Sequence, residues 1–573
     1  MSSTSPVTAV KPLEGGQKWL ALAAMMFAVS MTFIDQTIVS IAAPSIQMEL
    51  GLSNDGLQWV INGYLLALAA LFALGGRLSD ILGHKAMVLV GVITFAVASA
   101  MCGFTPQTSW AEAWIVFFRV VQGAGAALLF TAALAIVFAA FPAKERGRAL
   151  ALFFGITGAF TAVGPLAGGY LTEWTWRAIF WVNVPVAIIA IILTVLSKSN
   201  TVRKKEPVDW NGALLITLGM GLSVLGFQQA GSWGWDNWKT IAAIVVGLVL
   251  LVAFVRFEMG QKYPLVKVRI FKDRAFAADN AVLFFSMMTF VPVFFFISIY
   301  AQVSLGYSAQ NAGLFLMWFF IGFVIASQIG GRLLDQIGAK LPIILGSAIG
   351  AIGYALWAWK TPDLSSSAIV PFIIMTGFGI GLLLSPASTD AINRATDASY
   401  GEVTGITQTV RYYGASVGFA ILGTLMTSVV ASDLVASLTG LGVPSDKATE
   451  VVNNMSSGSG SSSASGSGSN IPTQLREQID LAVAQDYANA IQLVLYGMAL
   501  MMVVAFVCAF FHPGGKFETP DEVSQDEAIA TGGGSGGAAG AIAHESMSNK
   551  VIIRKVVTFV VIALLIYLAI TYL

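Results

Sequence analysis

Gly76-Arg77-Leu78-Ser79-Asp80-Ile81-Leu82-Gly83-His84-Lys85 returns later in the chain as Gly331-Arg332-Leu333-Leu334-Asp335-Gln336-Ile337-Gly338-Ala339-Lys340. Gly, Arg, Leu, Asp, Gly and Lys match at identical spacing. Each copy follows one long apolar run and precedes another, so the chain reads as two related units joined in tandem. Internal repeats of this kind are often found in membrane transporters. In each motif the small Gly is expected to let helices approach closely. Its Asp is expected to pair with a cation or a helix terminus. The latch residues are therefore Gly76, Arg77, Asp80, Gly83, Lys85, Gly331, Asp335 and Lys340.

Composition agrees with a membrane chain. Of 573 residues, 56% are hydrophobic and 11% are charged, where about 25% charged is usual for a soluble protein. So few charges cannot clothe a soluble surface of this size. Basic and acidic residues number 31 each, so no strong field draws nucleic acid. Low hydrophobicity and high net charge, the marks of global disorder, are both missing. Cys102 and Cys508 lie far apart in apolar runs. Those two thiols and three histidines, His84, His512 and His544, offer little for a disulfide framework, a metal site or His-based catalysis. No nucleophile–base pair and no nucleotide-binding loop stands out, so an enzyme is not expected.

Crossing ~30 Å of hydrocarbon takes about 20 apolar residues as helix. The runs are continuous rather than alternating, which selects helices over a barrel. They fall near 18–43, 57–77, 87–105, 112–138, 148–171, 177–197, 211–229, 239–257, 280–302, 311–332, 341–359, 367–389, 411–431 and 488–511. A further run, 552–572, is also long enough to span. The expected organisation is an N-terminal tail (1–17), a six-helix half (18–197), two inserted helices (198–257) and a second six-helix half (258–511). A flexible tail (512–550) and an extra helix (551–573) follow. Within the second half, 432–487 holds a Ser/Gly-rich stretch with the composition of a flexible linker.

Lys and Arg gather in alternate loops: Lys144, Arg146 and Arg148 after the fourth run, Arg203 to Lys205 after the sixth, Lys262 to Arg274 after the eighth. The intervening loops 44–56, 105–111 and 303–310 have none. By the positive-inside rule the basic loops and the N-terminus are cytoplasmic, in the cell (inner) membrane.

Further motifs sharpen the reading. Asp35-Gln36-Thr37-Ile38-Val39 with Pro44 lies in the first run, and Trp59 and Tyr64 in the second. Arg119-Val120-Val121-Gln122-Gly123-Ala124-Gly125 lies in the fourth, and Gly164-Pro165-Leu166-Ala167-Gly168-Gly169 in the fifth. Trp176-Arg177 opens the sixth, and Gln408-Thr409-Val410-Arg411 the thirteenth. Together with the repeated loop, these resemble the major facilitator superfamily, in particular its fourteen-span drug:proton antiporter branch of QacA/EmrB type. The resemblance covers about residues 18–511. It departs from the branch at Phe160, where a Gly is usual four residues before the Gly-Pro pair. It implies an all-α polytopic fold with two six-helix halves plus two inserted helices. It implies proton-coupled efflux of hydrophobic or amphipathic compounds by alternating access. No cofactor is then needed, because the proton gradient drives transport, and a monomer suffices. A dedicated exporter or a proton symporter for one metabolite, antibiotic or lipid is the alternative on the same fold.

A charge at mid-bilayer costs at least ~2.5 kcal/mol, so such residues usually serve function. Asp35 lies ~12 Å from the outer end of its run and Arg119 ~10 Å from the outer end of its own, at 1.5 Å per residue. Their depths coincide. If the first and fourth helices adjoin, as the resemblance implies, the two can face each other as a proton-coupling pair. Burial raises the pKa of a carboxylate and a nearby guanidinium lowers it.

The expected substrate cavity comprises Trp59, Asn62, Gln122, Phe290, Tyr300, Gln302, Gln408 and Arg411. The positive-inside rule offers a competing account of Arg411, as a residue at the end of its helix. Plain packing competes likewise for the aromatics of the ninth run. Glu112, Glu258 and Asp390 stand near run ends and are expected at the membrane interface. The second half shows no convincing intramembrane carboxylate, which leans toward neutral, anionic or zwitterionic substrates. Gly164, Pro165, Gly168 and Gly169 are the expected helix-bend residues of the fifth run.

Overall fold

The computed structural model describes residues 13, 15–197, 207–394, 400–441, 443–456 and 473–515. Every regular element among them is helical. Fourteen helices are long and apolar enough to cross a membrane. We number them α1 (Gly16–Leu50), α2 (Asn54–Leu82), α3 (His84–Gly103), α4 (Ala111–Ala140), α5 (Ala143–Trp174), α6 (Ala178–Leu196) and α7 (Trp210–Trp233). There follow α8 (Trp238–Gly260), α9 (Arg274–Ile299), α10 (Ala309–Ile337), α11 (Lys340–Lys360), α12 (Ser366–Arg394), α13 (Tyr400–Gly440) and α14 (Thr473–Phe510). The face at which α1 begins is called the N-side, and its opposite the far side. The expected extra helix 551–573, most of the tail before it and the low-complexity Ser/Gly stretch lie outside the described residues.

Short polar residues start several of these helices. Ser53, Asp209, Asp273 and Ser308 each accept a hydrogen bond from the backbone N–H three residues on, at the heads of α2, α7, α9 and α10. Each such cap satisfies a donor that the first helical turn leaves without a partner. The structure extends α13 and α14 well beyond their apolar runs. It also places a short helix, Ser445–Ser456, in the loop segment ahead of the Ser/Gly-rich stretch.

The helix pairings repeat. In the first half α1 packs on α4, α5 and α6, α4 on α2 and α3, and α3 on α6. In the second, α9 packs on α12, α13 and α14, α12 on α10 and α11, and α11 on α14. The two sets are the same pattern displaced by eight helices, as the loop repeat requires. The halves meet along α2 against α13 and along α5 against α10, with α1 touching α9. The inserted hairpin α7–α8 lies on the α2/α13 seam through α7. Its second helix, α8, turns Leu248, Val249, Val252 and Val255 outward, as suits lipid contact.

The glycines of the repeated loop do not all act as expected. A Cβ on Gly76 meets nothing within 4 Å, and on Gly331 only Ser385 Oγ at 3.9 Å. Close helix approach is therefore not their role. The constraint falls on the later glycine. Gly83 ends α2 with φ 103°, and Gly338 ends α10 with φ 80°. Only a residue without Cβ enters this region cheaply. The motif thus spells a sharp exit from a helix, made twice.

Gly83→Ala is expected to destabilise the purified protein by about 1–3 kcal/mol, the cost of forcing a side chain into such a conformation. Gly76→Ala should stay within about 0.5 kcal/mol of wild type. Thermal unfolding in detergent measures both, and equal effects would refute the assignment.

Candidate functional site

The site begins with an aspartate inside α1. Asp35 is fully buried, as are Arg119 and Gln122 on α4. The Arg119 guanidinium lies 2.5 Å from Asp35 Oδ2, Nη1 to oxygen. Gln122 Nε2 donates to Asp35 Oδ1 at 2.8 Å, while its Oε1 accepts from Arg119 Nη1 at 2.7 Å. Arg119 and Gln122 share one face because they stand three residues apart on a helix. The three side chains close a ring in which both carboxylate oxygens are held.

The cation has further support. Arg119 Nε donates to the Val60 carbonyl of α2 at 2.7 Å. The guanidinium also sits over the Tyr64 ring, 4.4 Å from its centroid. A buried guanidinium needs this many partners because water is not there to supply them. The expected meeting of Asp35 with Arg119 is thus present. Gln122, expected in the substrate cavity, instead completes the pair.

One step along α1, Gln36 Nε2 donates to the Tyr412 hydroxyl of α13 at 2.6 Å. Tyr412 stacks on Phe72 of α2, with centroids 5.3 Å apart. This bond crosses between the halves beside the buried carboxylate. The sequence reading missed it, because residues so distant in the chain leave no local signal.

Several cavity expectations require correction. Asn62 is buried in the α2/α7/α13 seam. It donates to Gln228 of α7 at 2.5 Å and accepts from Ser416 of α13 at 2.6 Å. Tyr300 is buried, and its hydroxyl donates to the Thr361 carbonyl at 2.9 Å, which locks it to the end of α11. Phe290 stacks on Phe323 of α10 and meets Phe294 edge-on, both at 5.3 Å. It packs the second half together. Gln302 donates to the Ile41 carbonyl of α1 at 3.0 Å, so it ties the halves. Trp59 is partly exposed on α2.

Arg411 is not at a helix end, because α13 begins eleven residues earlier, at Tyr400. It donates to Gln408 Oε1 at 2.9 Å and points its other amino group at Met287 Sδ of α9, 3.9 Å away.

The expected bend residues of α5 mark close contacts. A Cβ on Gly164 would strike Thr37 Oγ1 of α1, and one on Gly168 would lie 3.0 Å from Ile38. On Gly169 it would come within 2.8 Å of Gln310 Cα of α10. The Pro165 carbonyl lies where a side chain on Gly313 would need to be. Small residues thus let α5 press on α1 and, across the halves, on α10. Gly169, Gly313 and Gln302 all lie toward the far side, where the halves are closed.

The two latch motifs are not brought together. Arg77 donates to the Pro207 carbonyl at 3.4 Å, and Lys85 to those of Ser197 at 2.7 Å and Val195 at 3.1 Å. Lys85 thereby caps the carboxyl end of α6, where a cation is favoured. In the second copy, Asp335 is exposed, and Lys340 lies beside Gly514.

Glu258 and Asp390, expected at the interface, stand near the ends of their helices and are buried in the protein there. Glu258 accepts from the Val266 N–H at 3.1 Å. Asp390 of α12 accepts from His512 Nε2 at 3.0 Å, and Asp279 of α9 lies 3.7 Å from the same nitrogen. The imidazole's other nitrogen accepts from the Gly514 N–H at 3.0 Å, which leaves Nε2 as the donor. Asp279, Asp390 and His512 offer ligand-type atoms within 4.8 Å of one another. No metal-ligating group was expected, since the three come from separate regions of the chain. They also place two carboxylates in a half that seemed to have none, though near its N-side end.

Comparisons with known proteins follow the same line. The family model described as Major Facilitator Superfamily matches residues 25–419. The tetracenomycin C resistance and export protein of Streptomyces glaucescens is 31% identical over 420 residues, covering 72% of this chain and 77% of that one. Multidrug resistance protein 3 of Bacillus subtilis is 29% identical over 420 residues, covering 73% and 81%. Among solved structures, a bacterial homologue of the human lysosomal transporter Spinster, in an inward-facing and unoccupied conformation, superposes with a TM-score of 0.56. It is 16% identical and covers 87% of this chain and 98% of its own.

Removing one member of a buried ion pair strands the other. Asp35→Asn is expected to cost about 3–5 kcal/mol of stability, and adding Arg119→Gln should restore part of that loss. Thermal unfolding of Asp35→Asn, Arg119→Gln and the double variant tests the coupling. Additive losses would show that the pair is not energetically linked.

Proposed function

The chain belongs to the major facilitator superfamily, and on that premise we propose that it is a proton-coupled exporter of hydrophobic compounds working by alternating access. The observation that carries this reading is the ring of Asp35, Arg119 and Gln122. It is a titratable carboxylate, fully buried, held by a permanent cation that sits on a different helix.

The mechanism follows from charge balance. Ionised Asp35 and Arg119 are neutral as a pair and hold α1 against α4. A proton on Asp35 removes the attraction and leaves Arg119 to Gln122, the Val60 carbonyl and the Tyr64 ring. The helices can then separate, and the carboxylate meets the other side of the membrane. The Gln36–Tyr412 bond is the route by which this change on α1 reaches α13. The proton gradient supplies the energy, and no cofactor takes part.

The N-side, with its basic loops, faces the cytoplasm across the cell membrane. The far-side contacts of α5 with α10 then make this the state open to the cytoplasm, ready to load substrate. The first loop motif, anchored on α6, holds the first half rigid as it rocks, and one chain is enough. A narrower reading, a dedicated exporter of one compound, draws support from the relative named for tetracenomycin C alone.

Inverted membrane vesicles energised by respiration provide the test. A transported compound should collapse the pH gradient with the wild-type protein and fail to do so with Asp35→Asn of equal folded yield. A variant that responds as wild type does would take coupling away from Asp35. A gradient that yields to one compound in a broad panel would favour the dedicated exporter.

A further inference from the structure

Among the described residues, two guanidinium groups within the spanning helices, those of Arg119 and Arg411, are held differently. Arg119 has its aspartate, its glutamine, a carbonyl and an aromatic face. Arg411 has one neutral amide, from Gln408, and a thioether sulfur. Its Nε finds no hydrogen-bond partner. Among the described residues no carboxylate pairs with it.

Arg411 stands eleven residues into α13, inside its membrane-spanning stretch. Its neighbour Tyr412 is hydrogen-bonded to Gln36, which adjoins Asp35. Arg411 is also partly exposed, whereas Arg119 is 1% exposed. Part of this side chain is thus open at this depth, on a helix that meets both halves, while its Nε is closed off and without a hydrogen-bond partner. Guanidinium cannot shed its charge, and it has five N–H donors to fill. At such a depth an unpaired charge is costly and normally answers to a ligand.

We infer that Arg411 is the anion-recognition residue of the transport path, and that the exported compounds are amphiphiles carrying a carboxylate, phosphate or sulfonate. The inference rests on reading the chain as an exporter of hydrophobic compounds. The ligand's anion completes the donor set of Arg411, beside Gln408. Gln36 and Tyr412 link this position to the proton site, so anion and proton act on adjoining turns of two bonded helices. Opposite charges on ligand and site also exclude lipophilic cations.

Binding can be measured without transport. Full-length protein in nanodiscs of zwitterionic lipid is titrated with 11-(dansylamino)undecanoic acid, whose fluorescence reports capture. Dodecanoate, dodecyl phosphate, dodecanol and dodecyltrimethylammonium serve as competitors of equal chain length. The two anions should displace the probe, the alcohol more weakly and the ammonium not at all. Preference for dodecyl phosphate over dodecanoate would identify a lipid-type headgroup, and the reverse a carboxylate compound. Arg411→Gln should weaken the probe at least about tenfold, the size of a lost charge-assisted contact. Arg411→Lys, which keeps the charge without the fork, should lose less. Thermal unfolding checks that both variants are folded.

An Arg411→Gln protein that is folded and binds the probe within twofold of wild type overturns the inference, as does better displacement by the ammonium than by the anions. Failure here leaves the vesicle result for Asp35 untouched. Conversely, probe held through Arg411 in a protein that moves no protons would remove coupling and leave the anion site standing.

Discussion

A carboxylate and a guanidinium placed in the middle of a bilayer must find every partner within the protein. That constraint organises the first half of this transporter. Asp35 and Arg119 draw α1 and α4 together, Gln122 closes the ring and Val60 brings in the backbone of α2. Thr37, two residues after Asp35, bonds the Thr161 carbonyl of α5 at 2.9 Å. Gln36, one residue after it, reaches α13. The pair therefore sits where α1 touches both its own half and the other.

The two halves share a pattern of helix pairing but not a charge arrangement. The first half neutralises its buried cation internally. The second places Arg411 within a spanning helix without a carboxylate and keeps its buried acids, Asp279 and Asp390, near the N-side around His512. Symmetry of backbone with asymmetry of charge suits a carrier in which one half holds the proton and the other meets the cargo. The inserted hairpin adds rigidity where the halves join. Asn62, Gln228, Ser223, Ser416 and Tyr413 bond α2, α7 and α13 across the seam. The α5/α10 side is packed on glycines instead.

Much of this was legible in the residues. Fourteen apolar runs became fourteen helices because a bilayer admits little else from continuous apolar sequence. The depth of Asp35 matched that of Arg119 because helix rise is constant, so counting residues measures distance. Counting failed where helices outran their apolar runs. Arg411 lay near the start of its hydrophobic stretch, yet α13 begins a further eleven residues back. Polar residues misled in another way. Asn62, Tyr300 and Gln302 are the kind that line a cavity and also the kind that bridge helices. The bland reading of the ninth run's aromatics held for Phe290.

By itself the sequence determined the class, the fourteen spanning helices found among the described residues, the two-fold repeat and the one acidic residue deep in the first span. These follow from hydropathy, periodicity and spacing, which are properties of neighbours along the chain. Tertiary structure alone decided which polar groups are satisfied and by whom. It made Gln122 a partner of Asp35, turned Asn62 into a seam bond and gathered Asp279, Asp390 and His512 from three separate helix ends. It also left Arg411 with neutral company. The physical reason is that a buried charge is defined by what surrounds it, and those surroundings are assembled from segments hundreds of residues apart.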